Sequence, residues 1–155
     1  LIMTMYAHLT QDIIGSGRAE ADFRMKSEMA GAVVTFRGVM RPLTKQGEPL
    51  DRLVLEWHPR MTERSLREIA QDGLSRFGVD KVGVIHRCGP VLPGETIVFV
   101  GVASGHRREA FQAADYLMDR LKTDAVFWKR EVGSFGSRWI EPTGRDHDDR
   151  KRWRE

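Results

Sequence analysis

Long apolar runs are missing from this chain of 155 residues. The longest, Thr96 to Ala103 (TIVFVGVA), falls far short of the roughly 20 residues that a bilayer-spanning helix needs, so no membrane association is expected. The opening LIMTMYAHLT has no basic leader, no continuous apolar stretch and no small-residue cleavage site, and export is not expected. Cysteine is almost absent. Cys88 is alone, cannot close an intrachain disulfide, and fits a reducing, cytoplasmic compartment. The histidines, five in all, show no ligand spacing such as H-x3-H, which argues against a metal site. Gly15-Ser-Gly17 lacks the strand-turn-helix frame of a phosphate loop, and the Gly-x-Ser-x-Gly of a nucleophile elbow is absent. No internal repeat is visible, which excludes solenoids and propellers.

What remains is an ordinary globular composition, 41% hydrophobic and 30% charged, at a length that suits one domain with one core. The 25 basic residues barely exceed the 22 acidic ones, and the two signs are interspersed, which speaks against a nucleic-acid footprint. Basic residues gather without acidic neighbours at Arg37 to Lys45, His106 to Arg108, and Lys122 with Lys129.

Periodicity and turn chemistry predict a short strand over Tyr6 to Thr10, a helix over Ala19 to Met29, and a strand in the glycine-bounded Gly31 to Gly38. Arg41 to Pro49, with two prolines and a glycine, reads as an exposed, mobile loop before a strand over Leu50 to Trp57. Leu66, Ile69, Ala70, Gly73, Leu74 and Phe77 recur at helical spacing, with Thr62 placed to cap. Lys81 to His86 reads as a strand, Gly89 to Gly94 as a turn-rich loop, and Glu95 to Ala103 as a buried strand. Ala110, Ala114, Leu117, Met118 and Leu121 define a second amphipathic helix with Ser104 as its expected cap. Phe127 to Val132 and Ser137 to Ile140 close the domain as strands. The order describes an α+β fold with much antiparallel pairing, one domain over residues 1–141 followed by a loosely held charged tail over 142–155.

Three groups of residues carry possible chemistry. His106, Arg107 and Arg108 stand at a helix start, where the helix dipole disfavours cations. Either a bound anion offsets them, held by backbone N–H groups and the arginine fork, or the side chains turn to water or pair with Glu109 and Asp115. Lys122 ends the same helix beside its apolar stripe, and Lys129 lies among aromatics in Phe127-Trp-Lys-Arg-Glu131. A lysine stripped of water or crowded by cations loses basicity and can act as base or nucleophile, although most lysines merely reach past apolar surface to solvent. Arg41, opening a polar loop after a strand, occupies a common substrate-binding position. His86 and Cys88 share a strand face, but no base-orienting group accompanies them and their surroundings read as core.

Taken together, Gly31-Ala-Val-Val-Thr-Phe-Arg-Gly-Val-Met-Arg41, Leu55-Glu-Trp-His-Pro-Arg-Met61, Val84-Ile-His-Arg87, Val98-Phe-Val-Gly-Val-Ala-Ser-Gly-His-Arg107, Met118-Asp-Arg-Leu-Lys122 and Phe127-Trp-Lys-Arg-Glu131 resemble the large, catalytic subunits of molybdopterin synthase, the MoaE family. The likeness runs from about Gly31 to Trp139, with Lys151-Arg-Trp153 resembling the family's closing residues. It implies an α/β-hammerhead-like fold with an additional antiparallel β-sheet. It implies transfer of sulfur from the C-terminal thiocarboxylate of a small ubiquitin-like subunit to cyclic pyranopterin monophosphate, forming the dithiolene of molybdopterin. No metal or organic cofactor is implied. The assembly implied is a homodimer of large subunits inside a heterotetramer. Residue by residue, the essential lysine falls on Lys122, a supporting lysine on Lys129, and the phosphate and pterin contacts on Arg41, His106 and Arg107. Asp124-Ala-Val126 lacks the proline that often precedes Phe-Trp-Lys, and where the family often carries an arginine reaching toward the neighbouring subunit's pocket after Trp139, this chain has Pro142 and Thr143, with Arg145 able to substitute.

Two other classes compete with this enzyme. One is a non-catalytic anion or nucleic-acid binding module using Arg41, Arg107, Arg108 and the basic tail, which would show salt-steep binding. The other is a scaffold for a ubiquitin-like tail, which has no need of both Lys122 and Lys129.

Overall fold

The computed structural model describes residues 4–25, 27 and 29–154. Strands β1 (Thr4–Thr10), β4 (Lys81–Arg87), β6 (Thr96–Ser104) and β2 (Ala32–Val39) form one sheet in the order β1-β4-β6-β2. Strands β5 (Gly89–Val91), β3 (Arg52–Trp57), β7 (Phe127–Gly133) and β8 (Gly136–Ile140) form a second, in the order β5-β3-β7-β8. Among the described residues only β1 with β4 is parallel, and the remaining ladders are antiparallel. Helices α1 (Ser16–Arg24), α2 (Met61–Phe77), α3 (Arg107–Thr123) and α4 (Gly144–Lys151) complete a single α+β domain.

Helices α2 and α3 cover one face of the first sheet because their apolar stripes meet its β-branched residues. Leu66, Ile69, Leu74, Ala110, Ala114 and Leu117 pack against Val82, Val84, Val100 and Val102. The two helices approach closely at Gly73, where even a methyl group would collide with the Leu117 side chain. Phe23 of α1 caps the opposite face with Phe99 and Ala103. The second sheet keeps its own small cluster of Met40, Leu53, Leu55 and Val91.

The chain passes from one sheet to the other within two residues. Cys88, buried and bonded through its N–H to the Thr10 carbonyl, ends the β4 side. Gly89 follows at φ 79°, a left-handed conformation that favours glycine. Gly89 to Val91 then pairs with β3, where sequence reading expects only a turn-rich loop. Pro90 is admitted because this is an edge strand, which need not donate on both sides.

Other differences have local causes. The first helix begins at Ser16 and ends at Arg24, earlier than the expected 19–29; Lys26 and Glu28 lie outside the described residues. Thr62 does not cap α2. The His58 Nδ1 accepts the N–H groups of Arg60 and Met61 instead, while the Thr62 hydroxyl accepts from His58 N–H and donates to the Val126 carbonyl. Ser104 likewise yields the N-cap of α3 to His106, which has no side-chain cap bond.

The stretch after Glu141 is not loosely held. Thr143 and Asp146 form a reciprocal capping box that starts α4, the sequence signature of a helix N-terminus. Arg150 bonds Asp124, and Arg152 bonds Asp115 and Asp119. The indole N–H of Trp153 donates to Asp119 at 2.6 Å, and its ring meets Phe77 and Tyr116 edge-on. A helix with no apolar face is thus held to α3 by charge and one aromatic anchor. No helix among the described residues is long and apolar enough to cross a membrane.

Candidate active site

Between the sheets and under α3 lies a cleft of about 1100 Å³. Its bed is apolar, built from Leu53, Ile97, Val98, Met118 and Leu121, and its charged groups are mostly cationic. Lys122 enters from the last turn of α3, where a cation also suits the helix dipole. Lys129 enters from β7, held in register opposite Leu55 of β3 and Ile140 of β8. The two lysines, seven positions apart in sequence, converge because the helix ends at Thr123 and β7 turns back beneath it. They share an inner pocket of about 310 Å³ with Lys45, Glu131, Thr143 and Asp146.

Lys129 is half-buried, and loss of hydration, followed by the neighbouring charge of Lys122, pushes its ammonium down to about 8, with Asp146 pulling the other way. Neither lysine makes an ion pair with a described residue within 4.0 Å. Asp146 itself stays below the usual carboxylate range: burial acts to raise it, and the Thr143 cap bonds and both lysines outweigh that.

Arg41 lines the same cleft from the loop after β2. That loop is exposed, as expected, but it is pinned rather than mobile. Thr44 N–H donates to the Glu48 carbonyl, Glu48 N–H donates to the Thr44 hydroxyl, and Leu50 N–H donates to the Pro42 carbonyl. Arg41 and Lys45 are therefore presented by a closed rim.

His106 and Arg107 are not in this cleft. They are exposed at the other end of α3, and sixteen residues of helix at 1.5 Å each put them about 24 Å from Lys122. Arg107 and Arg108 form no ion pair with Glu109 or Asp115, and Asp115 is taken by Arg152. Arg145 is exposed on α4 and does not line the cleft. The described residues hold no His, Cys, Asp or Glu group of three that could bind a metal ion.

Sequence reasoning missed His86, Thr143 and Asp146 as parts of the cleft. The signal for His86 was its register: Val82, Val84 and His86 alternate on the face that α3 covers, so the last of them reaches the site. Thr143 and Asp146 carried a cap signature inside a stretch whose charge suggested a tail.

The fold and the cleft define a class: a two-sheet α+β protein with a paired-lysine pocket floored by apolar side chains. Residues 9–124 match the family described as MoaE protein. The chain is 47% identical over 149 residues to the molybdopterin synthase catalytic subunit of Caulobacter vibrioides, covering 96% of this chain and 97% of that one. It is 52% identical over 123 residues to that of Yersinia pestis, covering 79% and 81%. The solved structure of the molybdopterin biosynthesis MoaE protein from Burkholderia ambifaria superposes with a TM-score of 0.79 at 32% identity, over 98% of each chain. The chain belongs to the MoaE family of molybdopterin synthase catalytic subunits.

Proposed function

We propose that the lysine cleft is where sulfur passes from the thiocarboxylate tail of a small ubiquitin-like subunit to cyclic pyranopterin monophosphate, giving the dithiolene of molybdopterin. The observation that carries this reading is the convergence of Lys122 and Lys129 from separate elements into one pocket, with the Lys129 ammonium held down to about 8. A thiocarboxylate is anionic, and two ammonium groups in one pocket, that of Lys129 stripped of much of its hydration, attract it and hold it against the substrate. Lys122 polarises the thiocarboxylate or the substrate at the reacting end. Lys129, partly neutral near pH 8, accepts and returns protons. Arg41 offers a fork for the substrate phosphate.

His106 and Arg107, at about 24 Å along the helix, serve such a pocket only from a second copy of the chain. This agrees with the homodimer inside a heterotetramer that the resemblance implies. A single buried cysteine supports a cytoplasmic location. The readings as a nucleic-acid module or passive scaffold are not favoured, because the relatives are catalytic subunits and neither reading needs two lysines brought into one pocket.

The test is molybdopterin formation in vitro from this chain, the thiocarboxylated small subunit and cyclic pyranopterin monophosphate. Wild type is expected to form product, and Lys122→Ala to lose at least about a hundredfold in rate, the scale of one positioned acid, base or charge-stabilising group. Near-normal turnover by Lys122→Ala would sink the assignment.

A further inference from the structure

His86 is buried, with 4% of its surface accessible, yet it reaches the floor of the cleft from the end of β4. Its ring stacks on Phe127 at 4.2 Å between centroids. The Nδ1 lies 2.7 Å from the carbonyl oxygen of Arg87. A carbonyl can only accept, so Nδ1 carries the proton and Nε2 of the neutral ring carries a lone pair. No described residue bonds Nε2. The tautomer and the plane of the ring are therefore both fixed by the fold, one by the Arg87 carbonyl and the other by Phe127.

The rest of the cleft gives this atom its meaning. Arg37, Arg41, Lys45, Lys122 and Lys129 can only donate while charged. The carboxylates of Glu131 and Asp146 sit in the inner pocket with the lysines. The Thr44 hydroxyl already accepts from the Glu48 N–H, and one Asp146 oxygen accepts from the Thr143 N–H. The apolar bed of Leu53, Ile97, Val98, Met118 and Leu121 suits a flat ring system but offers no polar atom from its side chains. Burial and the two lysines keep the imidazole uncharged, pushing it down to about 4, so it adds no third cation beside them.

We propose that His86 Nε2 is a substrate contact, the neutral acceptor that receives an N–H donor from the edge of the bound pterin ring and so sets the ring's orientation on the apolar bed. The inference rests on the cleft being the pyranopterin site. The cationic groups fix the phosphate and the tail carboxylate, which any anion would satisfy; His86 reads the heterocycle. Such a contact is absent for a phosphorylated sugar lacking ring N–H groups, which gives the site a means of selection.

The experiment uses the full chain in complex with its small partner. In a ¹⁵N-histidine-labelled sample, cyclic pyranopterin monophosphate is expected to shift the His86 Nε2 resonance toward the hydrogen-bonded position while Nδ1 stays protonated. Inorganic phosphate, bound by the cations alone, is expected to leave it unmoved. In turnover, His86→Phe, which keeps the stack on Phe127, should raise KM for the pterin about tenfold, as expected when a buried donor is left unpaired. His86→Gln, which restores an acceptor, should recover part of the loss. Pterin that binds the wild-type complex with the Nε2 resonance unmoved overturns this inference and leaves the sulfur-transfer reading standing. Failure of the wild-type complex to bind the pterin at all overturns both.

Discussion

Lys129 is charged at a cost the fold imposes on it. Its ammonium loses hydration beside Lys122, and in the unfolded chain it would return to the ordinary value of 10.5 from about 8. Between those values the unfolded chain holds the proton and the folded chain does not. Stability attributable to Lys129 therefore rises with pH from about 8 to about 10.5. Asp146→Asn removes the group that holds the proton on, so Lys129 is expected to titrate lower. Lys122→Met removes a repelling charge and should move it higher. Both are read as opposite displacements of the Lys129 titration in ¹³C-methylated lysine spectra. His86 obeys the same linkage at acid pH. The unfolded ring binds a proton near 6.5 and the folded ring near 4, so stability falls as pH drops through that interval, by on the order of 3 kcal/mol. His86→Phe should flatten this slope in urea melts at pH 4.5 and 7. At this scale the lysines and Arg41 were legible because their motifs stand intact in the chain. His86 was not, because the role proposed for it rests on a tautomer fixed by a neighbour's carbonyl, which no residue spacing reveals.

Most of the elements follow from periodicity, since apolar residues at intervals of three and four in α2 and α3 can bury themselves only as helices. The two that escaped, β5 and α4, owe their form to partners rather than to their own composition. Gly89-Pro-Val91 has turn chemistry, and becomes a strand because the edge of β3 is there to receive it. Helix α4 is charged on every side; what holds it is the capping box, the bonds from Arg150 and Arg152, and Trp153 set among Phe77, Tyr116 and Asp119. Trp153→Ala removes the aromatic anchor and leaves the Asp119 carboxylate to Arg152 alone, and is expected to cost about 2 kcal/mol, less than a fully buried tryptophan. Thermal melting checks the global loss. Because α4 also presents Asp146 to the lysines, the same variant should shift the pH–rate profile of the complex toward lower pH, as a purely distant defect would not.

At the scale of the whole molecule, the α+β class and two-sheet character were readable from the sequence. That only the Lys122 end of α3 enters the cleft was not, because it depends on how α3 lies against the two sheets. If each site draws Lys122 from one copy and Arg107 from another, two inactive variants should complement. Lys122→Ala mixed in equal amounts with Arg107→Ala, after subunit exchange, is expected to recover about a quarter of wild-type activity, since half the dimers are mixed and each has one intact site. Recovery of none, with exchange verified by mass, would place all the chemistry within single copies. The geometry of α3 carries its own corollary. At 100° and 1.5 Å per residue, one inserted or deleted position would swing Lys122 a quarter-turn and more out of phase with Arg107 and shift it along the axis. Exposed positions of this helix that hold no partner, such as Gln112, can change in composition, whereas its count of residues behaves as a gauge block, set once and not divisible.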